Sequence, residues 1–166
     1  EVLTKKLCKK GLVGGWYVLD KDITVSFSYI YISGDVNIIL KDGCTLANEY
    51  QGWCQRGIIL KDGANLTIYE EKQTYDDEDN PKPKGQIVVD GGTLHEDAGI
   101  RVPPGTTLNI KGGTIKASGT EGGAGIGGDK YESAGTVTMW GGKVTATGGK
   151  GAAGIGGGTG ENGTLT

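Results

Sequence analysis

The sequence predicts an all-β fold: a right-handed parallel β-helix, or β-solenoid, of about five coils with coil lengths of 20–29 residues. Three observations carry this. Blocks of sequence return at one fixed offset. Gly112-Gly-Thr-Ile-Lys-Ala-Ser-Gly119 recurs as Gly141-Gly-Lys-Val-Thr-Ala-Thr-Gly148, Ala124-Gly-Ile-Gly-Gly128 as Ala153-Gly-Ile-Gly-Gly157, and Thr107-Leu-Asn-Ile110 as Thr136-Val-Thr-Met139, each 29 residues on. Separate blocks sharing an offset mark stacked units of about one solenoid turn each. Within the blocks apolar residues alternate with polar ones, the period of a half-buried strand. Glycine, 33 of 166 residues against a usual share of roughly 7%, concentrates at the joints between these strands, where it permits tight corners.

From the N-terminus, residues 1–15 read as a cap over the open end of the stack, which solenoids need. Trp16-Tyr-Val-Leu19 and Ile23-Thr-Val25 read as the first coil, with Trp16 in its core. Two degenerate units follow. Asp35-Val-Asn-Ile-Ile-Leu-Lys-Asp-Gly-Cys-Thr-Leu46 and Gly57-Ile-Ile-Leu-Lys-Asp-Gly-Ala-Asn-Leu-Thr-Ile68 share an Ile-Leu-Lys-Asp-Gly-x-x-Leu frame. Residues 70–85 are polar, lack periodicity and carry Pro81 and Pro83, so they form a loop projecting from one coil. Gly99-Ile-Arg-Val-Pro-Pro-Gly-Thr-Thr-Leu-Asn-Ile110 restores the pattern, and the two clear repeats complete the solenoid over 16–166.

Three short strands per unit close by coiling, each pairing in parallel with its equivalent one turn on. The expected inward rows include Leu66/Leu108/Val137 and Ile115/Val144, with Ala117 and Ala146 where the lumen is narrow. Ile126 and Ile155 point inward, and Gly125 and Gly154 let neighbouring corners stack closely. The chain ends at Gly163-Thr-Leu-Thr166, which reads as the start of another copy of Gly135-Thr-Val-Thr138, so a fragment truncated mid-repeat is expected.

Composition excludes several classes. A net charge of −3 gives no basic patch for nucleic acid. The glycines do not recur every third residue, which removes collagen. No apolar run approaches the roughly 20 residues of a membrane span, and residues 1–10 lack the apolar core of a signal peptide. Cys8, Cys44 and Cys54 have no CxxC spacing for zinc. Cys44 and Cys54, 10 residues apart, are a disulfide candidate between neighbouring corners; three buried thiols are the alternative.

The blocks Trp16-Tyr-Val-Leu19, residues 34–46, Asn65-Leu-Thr-Ile-Tyr69 and the paired Ala-Gly-Ile-Gly-Gly segments resemble a repeat region common in large surface and secreted proteins of gut Firmicutes. Such regions are labelled carbohydrate-binding or pectate-lyase-like by fold. The resemblance covers residues 16–166 and implies an extracellular β-solenoid module of a multidomain protein. It transfers no catalytic residues.

Three constellations bear on chemistry. Asp76, Asp77, Glu78 and Asp79 are the densest charge in the chain. Oxygen ligands on a loop suit calcium, but the frames that calcium loops use are missing, so a solvated loop is the plainer reading and a weak calcium site its rival. Tyr50 and Trp53 in one corner, Tyr131 in another and the outward Trp140 can form a stacking platform for sugar rings; structural packing is the rival. The outward positions Thr114, Lys116 and Ser118 against Lys143, Thr145 and Thr147 supply no carboxylate for lyase or hydrolase chemistry. His95 reads as a loop residue and Arg101 as surface. The Ala-Gly-Ile-Gly-Gly segments lack the Lys-Ser/Thr of a phosphate loop.

The expectation is therefore a non-catalytic, monomeric glycan-binding or adhesion module, secreted or attached to the cell wall, with a polysaccharide or host or cell-wall glycan as partner. No cofactor is expected beyond possible calcium. A structural stalk and a pectate-lyase-like polysaccharide lyase are the alternatives.

Overall fold

Residues that alternate apolar and polar need a buried face, and short strands joined by tight corners provide one only by stacking turn upon turn. The computed structural model describes residues 1–26, 28–49, 57–91 and 96–160 and has this arrangement. Coil 1 consists of β1 (Leu12–Leu19) and β2 (Ile23–Ser26), and coil 2 of β3 (Ile30–Leu40) and β4 (Thr45–Glu49). Coil 3 consists of β5 (Ile58–Leu60), β6 (Asn65–Glu70) and β7 (Gln86–Asp90). Coil 4 follows as β8 (Ile100–Arg101), β9 (Thr107–Ile110) and β10 (Thr114–Ser118), and coil 5 as β11 (Ile126–Gly127), β12 (Thr136–Met139) and β13 (Lys143–Thr147). β14 (Ile155–Gly156) opens the next turn.

Every pair of these strands is parallel, and each strand pairs with its equivalent one coil away. The chain is a parallel β-helix with three faces. Face A holds the first halves of β1 and β3 with β5, β8, β11 and β14. Face B holds their second halves with β6, β9 and β12. β1 and β3 run through the A–B corner unbroken, which joins the two faces into one nine-stranded sheet. Face C is the five-stranded sheet β13-β10-β7-β4-β2.

Register puts like residues over like. On face A, Ile30, Ile58, Ile100, Ile126 and Ile155 form one row. On face B, Val36, Leu66, Leu108 and Val137 form another. On face C, Ile23, Leu46, Ile87, Ile115 and Val144 form a third. The predicted rows Leu66/Leu108/Val137 and Ile115/Val144 are present. These rows make one continuous core, and each fully buried aliphatic side chain contributes roughly 1.5–3 kcal/mol. The step from Ile126 to Ile155 is 29 residues; the longer step of 42 from Ile58 to Ile100 contains the 70–85 excursion.

The shared Lys-Asp-Gly frame is a corner in both units, but not the same corner. Lys41-Asp42-Gly43-Cys44 turns the chain from face B to face C, whereas Lys61-Asp62-Gly63-Ala64 turns it from face A to face B. Both are closed by the amide of the fourth residue donating to the first carbonyl, at 3.2 Å for Cys44 and 2.9 Å for Ala64. Gly43 (φ 78°) and Gly63 (φ 71°) hold the left-handed third position such a turn requires. Pro103-Pro104-Gly105-Thr106 repeats the turn of residues 61–64 in coil 4, closing at 3.1 Å.

At the N-terminus Val2 bridges Val18 in parallel, and α1 (Lys5–Lys10) lies beyond it. Thr4 caps α1 by accepting from the Leu7 amide at 3.2 Å. Leu3 just before α1 and Cys8 within it are fully buried. The boundary drawn at residues 15 and 16 falls inside β1, so the first coil begins at Leu12.

Trp16 is not in the core. It is 54% exposed, while Tyr17, at 7%, points inward. A bulge between Val13 and Gly15 sets this phase, pairing Gly15 with Val36 and Tyr17 with Ile38.

The excursion after β6 is fastened by Asp42, whose side chain is fully buried. Its Oδ2 accepts from the Thr74 amide at 2.7 Å, the Thr74 hydroxyl at 3.1 Å and Gln73 Nε2 at 3.2 Å. Lys84 Nζ lies 3.4 Å from Oδ1. Burial works to raise the Asp42 pKa, but the Thr74 hydrogen bonds and the Lys84 charge outweigh it and hold the carboxyl below its ordinary value.

Candidate functional site

Face B carries a groove with an aromatic wall. Alternation along β6, β9 and β12 turns Leu66, Leu108 and Val137 inward, so Thr67, Asn109 and Thr138 face outward in register. One step further, Lys111 and Trp140 continue the outward phase beyond β9 and β12. The ladder holds there too: the Trp140 amide donates to Ile110 O at 2.8 Å and that of Lys111 to Ile68 O, also at 2.8 Å. Thr67, Asn109, Lys111 and Trp140 together line an open groove of about 460 Å³, within the range of small-ligand sites. Trp140 is 73% exposed. It offers a flat apolar ring beside an amide, a hydroxyl and an ammonium, the combination that fits the apolar face and polar rim of a pyranose.

The aromatic character extends past the groove. Tyr69, next along β6, has its ring 5.2 Å from Lys111 Nζ and 5.2 Å from the ring of Trp16. Of the sequence-predicted platform, the structure therefore places Trp140 in a groove. Tyr131, 70% exposed, sits in the A–B corner before β12, on the opposite side of that strand from Trp140, under the ammonium of Lys130 at 5.1 Å. The two are not brought together. Tyr50 and Trp53 lie outside the described residues. Lys111, Asn109, Thr67 and Tyr69 were missed, although the 29-residue offset places Trp140 directly over Lys111 and so pointed to them.

The acidic run behaves as a turn. Asp76 Oδ1 accepts from the amides of Glu78 at 3.0 Å and Asn80 at 2.9 Å, and the Asn80 amide leads in holding its pKa below the ordinary value. Among the described residues no group of three or more His, Cys, Asp and Glu side chains converges to hold a metal; that includes Asp77, Glu78 and Asp79. Cys8 and Cys44 are free thiols. Cys54, the candidate partner of Cys44, lies outside the described residues, as does His95. Burial pushes the Cys8 thiol up to about 11, which keeps it protonated and inert.

Arg101 is not a simple surface residue. Its Nε and Nη2 donate to Glu132 at 2.7 and 2.6 Å, and Nε lies 2.9 Å from Asp129 Oδ2. Asp129 Oδ1 accepts from the Ala98 amide at 2.8 Å. Nearby, Tyr29 Oη donates to Asp97, and Lys130 pairs with Glu96. Burial pushes the Asp129 carboxyl up to about 6, assisted by the charges of Asp97 and Glu132, against the Ala98 bond and Arg101. Burial likewise raises the Tyr29 pKa, helped by its bond to Asp97. Arg101 with Asp129 and Glu132 ties coil 4 to coil 5, and Tyr29 with Asp97 adds a bond from the start of coil 2; none of these residues lines the face B groove.

A family model described as Beta helix repeat matches residues 108–130 and 137–159. The two matched stretches lie in the two clear 29-residue repeats. Each match runs from an inward residue of face B, through face C, to the corner after the next face A strand, so this β-helix repeat region is delimited by the same 29-residue step as the strand register. No curated protein and no solved structure matches the chain.

Proposed function

We propose that this β-helix repeat region is a non-catalytic, extracellular glycan-binding or adhesion module. The observation that carries the proposal is Trp140: a tryptophan 73% exposed at the wall of a groove whose remaining lining is Thr67, Asn109 and Lys111. The indole stands in a groove rather than alone on a flat surface, and the hydroxyl, amide and ammonium groups beside it suit a ligand that is apolar on its faces and polar at its edge. The carboxylates that do converge in the fold are engaged by Arg101 and backbone amides, which supports binding without catalysis.

A glycan array probed with the wild type and with Trp140→Ala tests the proposal. Retention of a subset of glycans by the wild type, lost in the variant, is expected; a blank array for both overturns it.

The spacer reading is supported by a different observation. The core is one continuous cluster with members in all five coils, and the outward residues of β10 and β13 are Thr, Lys and Ser, the makings of a stiff, solvated rod. A blank array favours it.

A further inference from the structure

Face B does not end at the groove. Its outward side chains continue toward the cap, and their register is continuous: Trp16 pairs with Asn37, and Ile39 with Tyr69. Trp16 belongs to coil 1 and Tyr69 to coil 3, yet their rings meet over coil 2 with centroids 5.2 Å apart and planes 31° from parallel. Tyr69 Oη stands 3.5 Å from Asn37 Oδ1 beneath that contact. Lys111 of coil 4 then reaches to 5.2 Å from the Tyr69 ring, and Trp140 of coil 5 lies one coil beyond Lys111. Aromatic and polar groups thus follow one another along the helix axis across five coils.

We infer that the Trp140 groove is one end of a single elongated site whose other end is the Trp16–Tyr69 pair, and that its ligand is a linear polysaccharide lying along the helix axis. This rests on the glycan reading above. The spacing argues for it. Successive coils of a parallel sheet lie about 4.8 Å apart, and an extended pyranose chain advances by nearly the same distance per sugar. A chain laid along face B therefore meets one coil with each unit, a match that a short or branched glycan does not use. A half-exposed Trp16 stacked on Tyr69 offers the distal sugars a broad apolar surface, with Asn37 at its edge.

The test is calorimetric titration of the whole chain with di- to hexasaccharides of the cello, chito, xylo and galacturonan series. For the series that binds, affinity rises at least tenfold from the disaccharide to the pentasaccharide and then levels off. Trp16→Ala removes most of that gain, so that its affinities for the disaccharide and the pentasaccharide come within about threefold of each other, with the far-ultraviolet circular dichroism of the fold retained, and Tyr69→Ala acts in the same direction. Equal affinity for disaccharide and hexasaccharide, or hexasaccharide binding indifferent to Trp16→Ala, overturns the elongated site and leaves a local glycan site at Trp140 standing. Absence of binding in every series removes the glycan reading and this inference together.

Discussion

Arg101 Nε lies 2.9 Å from Asp129 Oδ2, a contact between coils 4 and 5 that burial keeps from being an ordinary surface ion pair. The Asp129 carboxyl, 25% exposed, is held at about 6. Because the folded value exceeds the ordinary 3.8, the native state binds more protons than the unfolded chain between those values. The associated stability is present below about pH 4 and is lost as pH rises through 6, at most about 3 kcal/mol. Melting temperatures of the wild type and Asp129→Asn across pH 4 to 7 should differ in slope, with the variant flatter. Parallel curves would remove Asp129 as the titrating group.

Gly154 makes a corner that admits no side chain. A Cβ built there would stand 2.7 Å from Ala146 O, and one at Gly125 would stand 2.7 Å from both Gly154 O and Thr147 N. These are backbone atoms tied into neighbouring coils, so they cannot step aside. Gly154→Val is expected to cost about 1–3 kcal/mol, and Gly125→Val, enclosed from both sides, more. Thermal melts check both; an unchanged melt for Gly125→Val contradicts the corner packing.

Asn48 is an inward residue in the wrong company. It pairs with buried Val25 on face C, and both its side-chain nitrogen and its oxygen are buried without a hydrogen-bond partner. Unsatisfied buried amides are unfavourable, so Asn48→Val should stabilise the fold by about 1–3 kcal/mol. A lower midpoint in urea for the variant would show that Asn48 has a compensating role.

Asp42 fastens the excursion between β6 and β7 through Thr74, Gln73 and Lys84. Asp42→Ala removes the buried acceptor for all of them. Limited proteolysis should then cut within residues 72–84 several-fold faster, with the coils intact. Equal cleavage rates would place the restraint elsewhere.

The inward rows of the last coils were legible because strict alternation and a 29-residue offset specify both phase and partner; Ile115 over Val144 needs nothing else. Trp16 was misplaced because β1 is apolar in both phases, Trp16 and Val18 against Tyr17 and Leu19, and the bulge at Gly14 that chooses between them leaves no periodic signal. The Lys-Asp-Gly frames were legible as corners but not as which corner: a turn has a chemistry, not an address, so the same residues serve two different corners. The Arg101 cluster was illegible because Asp97, Asp129 and Glu132 lie in connections between strands, where no period applies. At the candidate site Trp140 was readable from its outward phase, while Lys111 and Tyr69 looked like ordinary strand residues until stacking brought them beside it.

The glycan reading rests most heavily on Trp140, and the indole N–H resonances of the three tryptophans report on it directly. With the Trp140 signal assigned through Trp140→Phe, titration of a bound oligosaccharide should move that resonance saturably, at concentrations matching the dissociation constant. A titration in which the Trp140 signal stays fixed while ligand is bound would contradict the account.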